Sequence, residues 1–168
     1  MTRTRRRSID RQVGGTMAMG ADRTLIVGLG VTGLATARYL AARGAEVTVI
    51  DNRAAPPGLV ALRADFPEIP VILESEDPRF LEGMDQVVLS PGLALDTPVA
   101  SAARQLEIPV VGDIELFARA VDAPVIAVTG SNGKSTVVTL LDRMLSAAGF
   151  DVAAGGNLGP PALQLLED

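Results

Sequence analysis

The run Thr129-Gly130-Ser131-Asn132-Gly133-Lys134-Ser135-Thr136 concentrates the chemistry of this 168-residue chain. Apolar residues Val125–Val128 precede it, and a helical pattern from Lys134 to Ala148 follows. Glycines in such a loop let successive backbone N–H groups turn inward on phosphate oxygens. Lys134 supplies a compact cation for the β- and γ-phosphates, and the Ser135 hydroxyl is a ligand for Mg²⁺. Gly130, Ser131, Asn132, Gly133, Lys134, Ser135 and Thr136 therefore predict a nucleotide-phosphate site, with Ser135 on the metal. The general phosphate-loop pattern has glycine where this chain has Val128. Composition supports the reading, because the chain has 14 Arg and a single Lys, and that lysine is Lys134.

A second glycine turn lies upstream, Gly28-Leu29-Gly30-Val31-Thr32-Gly33. This G-x-G-x-x-G spacing permits a tight strand-to-helix turn and opens the helix N-terminus to a phosphate. Asp51 ends the following strand pattern, 18 residues after Gly33, where a carboxylate can accept hydrogen bonds from a ribose. The motif does not specify which nucleotide. Ser90-Pro91-Gly92 follows the fourth strand pattern, at the end of the sheet where ligands collect in open α/β folds.

Alternating strands and helices must position these loops. Strands are predicted at Thr24–Gly28, Glu46–Asp51, Pro70–Leu73, Gln86–Leu89, Val110–Val111 and Val125–Thr129. Helices are predicted at Val31–Arg43 (stopped by Gly44), Leu59–Asp65, Thr97–Leu106, Asp113–Ala120, Lys134–Ala148 (stopped by Gly149) and Pro160–Glu167, with Asp113 as an N-cap. This order predicts α/β architecture built on parallel strands. The organisation expected is a disordered Arg-rich extension over 1–20, a Rossmann-like nucleotide domain over 21–112, and the incomplete start of a P-loop ATPase domain over 113–168.

Composition narrows the chemistry. The chain has no Cys and no His, which removes disulfides, thiolate nucleophiles, and imidazole bases or metal ligands. Absence of cysteine suits a reducing cytoplasm. Residues 1–20 carry five Arg and one Asp, whereas the rest carries 10 basic and 19 acidic residues. An acidic body with 3% aromatic residues is a poor nucleic-acid surface. No apolar run reaches the ~20 residues of a membrane span, so no membrane insertion is expected.

The string VTGSNGKST, with SPGLALDTP and GDIELF before it and GGNLG-PALQLL after it, resembles the Mur ligases of peptidoglycan synthesis. In that family the loop reads T-G-[ST]-N-G-K-[ST], so Val128 is an ordinary variation. GLGVTG, SPG and GDIELF make the chain similar to the D-glutamate-adding member, over roughly Thr24 to Leu166. The resemblance implies a Mur ligase central domain after the Rossmann-like one. It implies UDP contacts from Val31, Thr32, Asp51, Asn52, Arg53 and Gly92, a substrate contact from Asn157, and ATP held by Gly130, Ser131, Asn132, Gly133, Lys134, Ser135 and Thr136, with Lys134 catalytic. Asn52 stands where the family usually has Thr. It further implies a cytoplasmic, monomeric enzyme that uses ATP and Mg²⁺ to join D-glutamate to UDP-N-acetylmuramoyl-L-alanine through an acyl phosphate. The family's further strand, metal-binding glutamate, modified lysine, histidine and third domain have no counterpart in the sequence. The resemblance therefore implies an inactive fragment with an uncovered apolar face. The alternative is a stand-alone module that binds NAD(P) or a UDP-sugar without ligase activity.

Overall fold

The computed structural model describes residues 23–157 and 159–166. The expected Arg-rich extension lies outside the described residues. The described chain forms β1 (Arg23–Val27), α1 (Val31–Ala41), β2 (Glu46–Asp51), α2 (Leu59–Asp65), β3 (Val71–Leu73), β4 (Gln86–Leu89), α3 (Pro98–Gln105), β5 (Val110–Val111), α4 (Asp113–Ala120) and α5 (Lys134–Ala147). Single 3-10 turns occur at Pro78–Leu81 and Ala162–Leu166.

The five strands are all parallel and lie in the order β3-β2-β1-β4-β5. Strand periodicity explains the two cores. Ile26, Val49 and Val88 point to one face, where they meet Ala37, Tyr39 and Leu40 of α1, Leu62 of α2 and Leu116 of α4. Leu25, Val27, Ile50, Val87 and Leu89 point to the other, against Leu81 and the α3 residues Val99, Ala100 and Ala103. Each such buried Leu, Ile or Val contributes roughly 1.5–3 kcal/mol. β1 sits at the centre of the sheet, and the strand order reverses across it. The crevice beyond the C-terminal ends of β1 and β4 is thus the natural ligand position.

Packing crosses the sequence boundary at 112/113. Leu116 of α4 and Leu163 of the last 3-10 turn are both buried in the first core. Of the helix predicted over 160–167, the described residues form only the 3-10 turn Ala162–Leu166, and Pro161 disfavours helical backbone at the residue before it.

Two further corrections concern local structure. Val125–Thr129 does not form the predicted strand. A strand needs a neighbour for its backbone groups, and none pairs with this segment among the described residues. Val125 and Ile126 are instead 56% and 59% exposed. Asp113 is not an N-cap: Gly112 holds that position with extended backbone, and Asp113 is the first helical residue. Elsewhere the differences are a residue or two at element ends. α1 stops at Ala41, and Gly44 at φ +79° turns the chain out of it.

Candidate functional site

The cleft at the strand-order reversal has a volume of about 330 Å³. Its floor is the turn between β1 and α1. Gly28 adopts φ +94°, and its amide donates to the Ile50 carbonyl at 2.8 Å. A Cβ on Gly33 would stand 2.0 Å from the Gly28 carbonyl oxygen, so the last glycine is fixed by close packing of helix on strand. The Ser90 hydroxyl donates to that same carbonyl at 2.9 Å. Ser-Pro-Gly after β4 thereby braces the glycine turn after β1.

Gly30 differs from its two neighbours in the motif. It caps α1 with an ordinary φ of −85°, and a Cβ built there meets no protein atom within 4 Å. Neither strain nor packing requires glycine at this position. It lines the cleft, as does Gly92, over which a Cβ likewise meets nothing. The first N–H groups of α1 lack intrahelical acceptors and carry the positive end of the helix dipole.

Asp51 lines the cleft, but its carboxylate is closed off by protein donors. Its side chain is 1% exposed, and it accepts from the Leu29 amide at 2.7 Å, the Arg53 amide at 2.9 Å and the Arg53 guanidinium at 2.8 and 2.7 Å. The carboxylate read from sequence as a ribose acceptor is thus occupied by protein donors. Burial alone would raise its pKa. The Arg53 side chain and the Leu29 and Arg53 amides outweigh burial and hold it at about 2. The same pairing raises the Arg53 pKa and leaves its side chain, 49% exposed, on the cleft wall.

Of the residues predicted to contact the nucleotide substrate, Val31, Thr32, Asp51, Asn52, Arg53 and Gly92 all line this cleft. Asn157 is exposed and does not. Three lining residues carried no site reading in the sequence: Val27, Glu76 and Leu93. Val27 and Leu93 adjoin motifs already noted, but Glu76 is distant in sequence from every motif.

The phosphate-loop residues form a separate surface. Gly130 and Gly133 adopt φ of +148° and +75°, and α5 starts immediately afterwards. The Lys134 ammonium folds back to donate to the Gly130 carbonyl and, at 3.5 Å, to the Ser131 carbonyl. Ser131, Asn132, Ser135 and Thr136 are exposed, and α5 has no buried residue. The residues fit a nucleotide triphosphate in kind: a cation over glycine-permitted backbone turns at a helix start. Ser135 offers a metal one oxygen, and no cluster of three or more acidic, Cys or His ligands occurs among the described residues.

Residues 22–112 match the family model described as Mur ligase MurD-like, N-terminal domain. The chain belongs to this Mur ligase family. A UDP-N-acetylmuramoylalanine–D-glutamate ligase of Nitrosococcus oceani is 54% identical over 147 residues, covering 88% of this chain and 32% of the relative. A ligase of the same name from Marinobacter nauticus is 51% identical over 145 residues, covering 86% and 32%. The chain therefore spans about a third of the length of the curated Mur ligases it matches. Among solved structures, the Neisseria meningitides UDP-N-acetylmuramate:L-alanyl-γ-D-glutamyl-meso-diaminopimelate ligase shares the fold at TM-score 0.55 and 24% identity. That match covers 84% of this chain and 46% of the other. The Thermotoga maritima UDP-N-acetylmuramate–alanine ligase does so at 0.51 and 22%, covering 76% and 30%. No helix among the described residues is long and apolar enough to cross a membrane.

Proposed function

We propose that this chain is part of an ATP-dependent ligase that joins D-glutamate to UDP-N-acetylmuramoyl-L-alanine, and that its cleft holds the uridine diphosphate end of that substrate. The observation that carries the reading is Gly30. It is a glycine with unstrained backbone and no packing neighbour, at a helix start on the cleft floor. Close approach of a diphosphate to the backbone is a reason for such a glycine. Gly92 opens the opposite wall in the same way. Val31 and Thr32 then present N-terminal amides of α1 to the diphosphate. Asn52 and Arg53, at the end of β2, face the nucleoside. Asp51 acts by locking Leu29 and Arg53 in position. Asn157 belongs to the substrate side of the other nucleotide site.

Gly130 to Thr136 hold ATP in this reading. The Lys134 ammonium exchanges the Gly130 and Ser131 carbonyls for phosphate oxygens and offsets charge as the γ-phosphoryl group moves. Ser135 gives one oxygen to Mg²⁺, which, when bound, neutralises phosphate charge. The phosphoryl group passes to the alanyl carboxylate, the D-glutamate amine attacks the resulting acyl phosphate, and phosphate leaves. The cysteine-free chain fits a reducing cytoplasm.

Titration of the chain with UDP-N-acetylmuramoyl-L-alanine and, separately, with NAD tests the reading. Saturable binding of the UDP compound, lost in Arg53→Ala, is expected. Binding of NAD with no response to the UDP compound would instead support a dinucleotide module.

A further inference from the structure

The cleft carries two carboxylates, and only one of them is open. Asp51 accepts four hydrogen bonds from Leu29 and Arg53 and is sealed from solvent. Glu76, the other, accepts one, from the Asn52 side-chain amide to Oε1 at 3.0 Å. It lines the cleft beside Asn52 and Arg53, and among the described residues its Oε2 has no partner. The chain delivers it there by a defined route. Glu74 turns at φ +53° directly after β3, and the Ser75 amide ties the segment to the Asp51 carbonyl at 3.2 Å. Glu76 thus stands past the ends of β2 and β3, while the open glycines Gly30 and Gly92 lie by β1 and β4.

A nucleotide with its diphosphate at Gly30 places its sugar toward the end of β2. The sugar's vicinal hydroxyls are donors, and a carboxylate is their natural acceptor. In this cleft the acid at the end of β2 is already spent on the protein. We infer that Glu76, oriented by Asn52, accepts the ribose hydroxyls and so selects a ribonucleotide over its deoxy counterpart. This inference rests on the UDP reading given above. It assigns the sugar contact to a residue that follows the glycine turn only after α1, β2, α2 and β3.

The test is calorimetric titration of the wild-type chain, Glu76→Gln and Asn52→Ala with UDP and with 2′-deoxy-UDP. Wild type is expected to prefer UDP by about tenfold, the size of one charge-assisted hydrogen bond. Glu76→Gln, left with a neutral acceptor, should reduce the preference to about threefold, and Asn52→Ala should fall between. Reading a ratio cancels any uniform gain from removing negative charge near the diphosphate. Equal binding of both ligands by wild type, or an unchanged preference in Glu76→Gln, would overturn the assignment while leaving UDP binding intact. Failure of the wild type to bind UDP at all would overturn both it and the reading beneath it.

Discussion

Two glycine-rich turns, each ahead of a helix, stand in sharp contrast in this chain. The turn at 28–33 is held on every side: its strand is the centre of a five-stranded sheet, Gly33 packs on the Gly28 carbonyl, and Ser90 and Asp51 brace it from both flanks. The turn at 130–136 follows an unpaired, exposed segment and leads into a helix with no buried residue. Its lysine satisfies itself on its own loop. A local motif supplies the donors for a phosphate, but rigidity comes from the sheet beneath it. The difference teaches that a binding turn is only as preorganised as its neighbours in space.

Substitutions can break or sharpen that contrast. The largest effect is expected from Gly33→Ala, whose methyl group must displace a carbonyl 2.0 Å away. It should cost more than about 4 kcal/mol or prevent folding, seen by urea denaturation. Leu163→Ala should lose about 3 kcal/mol by the same measurement, because the side chain is 1% exposed within the first core. Normal stability there would mean that the last turn is not part of that core.

Asp51→Asn should cost about 2 kcal/mol at neutral pH, from a pKa held at about 2 against an ordinary 3.8. The sign follows from the direction of the shift. A depressed carboxylate stabilises the fold above its unfolded pKa, and that stabilisation disappears as pH falls from about 4 toward 2. The gap between wild type and variant should therefore close over that window in acid denaturation curves. Gly133→Ala, at φ +75° in open space, should cost only about 1 kcal/mol. Lys134→Ala should leave unfolding within about 0.5 kcal/mol of wild type, since it touches only its own loop. On the proposed function, a loss of ATP affinity is expected by filter binding, with UDP affinity unchanged.

Much of the first region was legible in the sequence. Apolar runs gave β1, β2 and β4, because burial on both faces leaves a strong pattern, and α4 falls on the predicted residues 113–120. Glycine spacing located the cleft floor. Three features could not be read this way. Val125–Thr129 has a strand's composition, but pairing is a property of two segments. Asp51 sat where a ribose acid belongs, yet only the fold shows Arg53 and Leu29 consuming its lone pairs. Glu76 meets Asn52 across 24 residues of chain, a contact no local spacing announces.

Central to the account is a diphosphate seated on the backbone at Gly30. Calorimetry of UDP with the wild-type chain and with Gly30→Val tests it most directly. That side chain meets no protein atom at its Cβ and suits the backbone at −85°, −163°. One saturable UDP site per wild-type chain and no detectable binding by a folded Gly30→Val, whose poorer N-cap costs about 1 kcal/mol, are expected. Equal affinity in both, or no binding by wild type, would contradict the account.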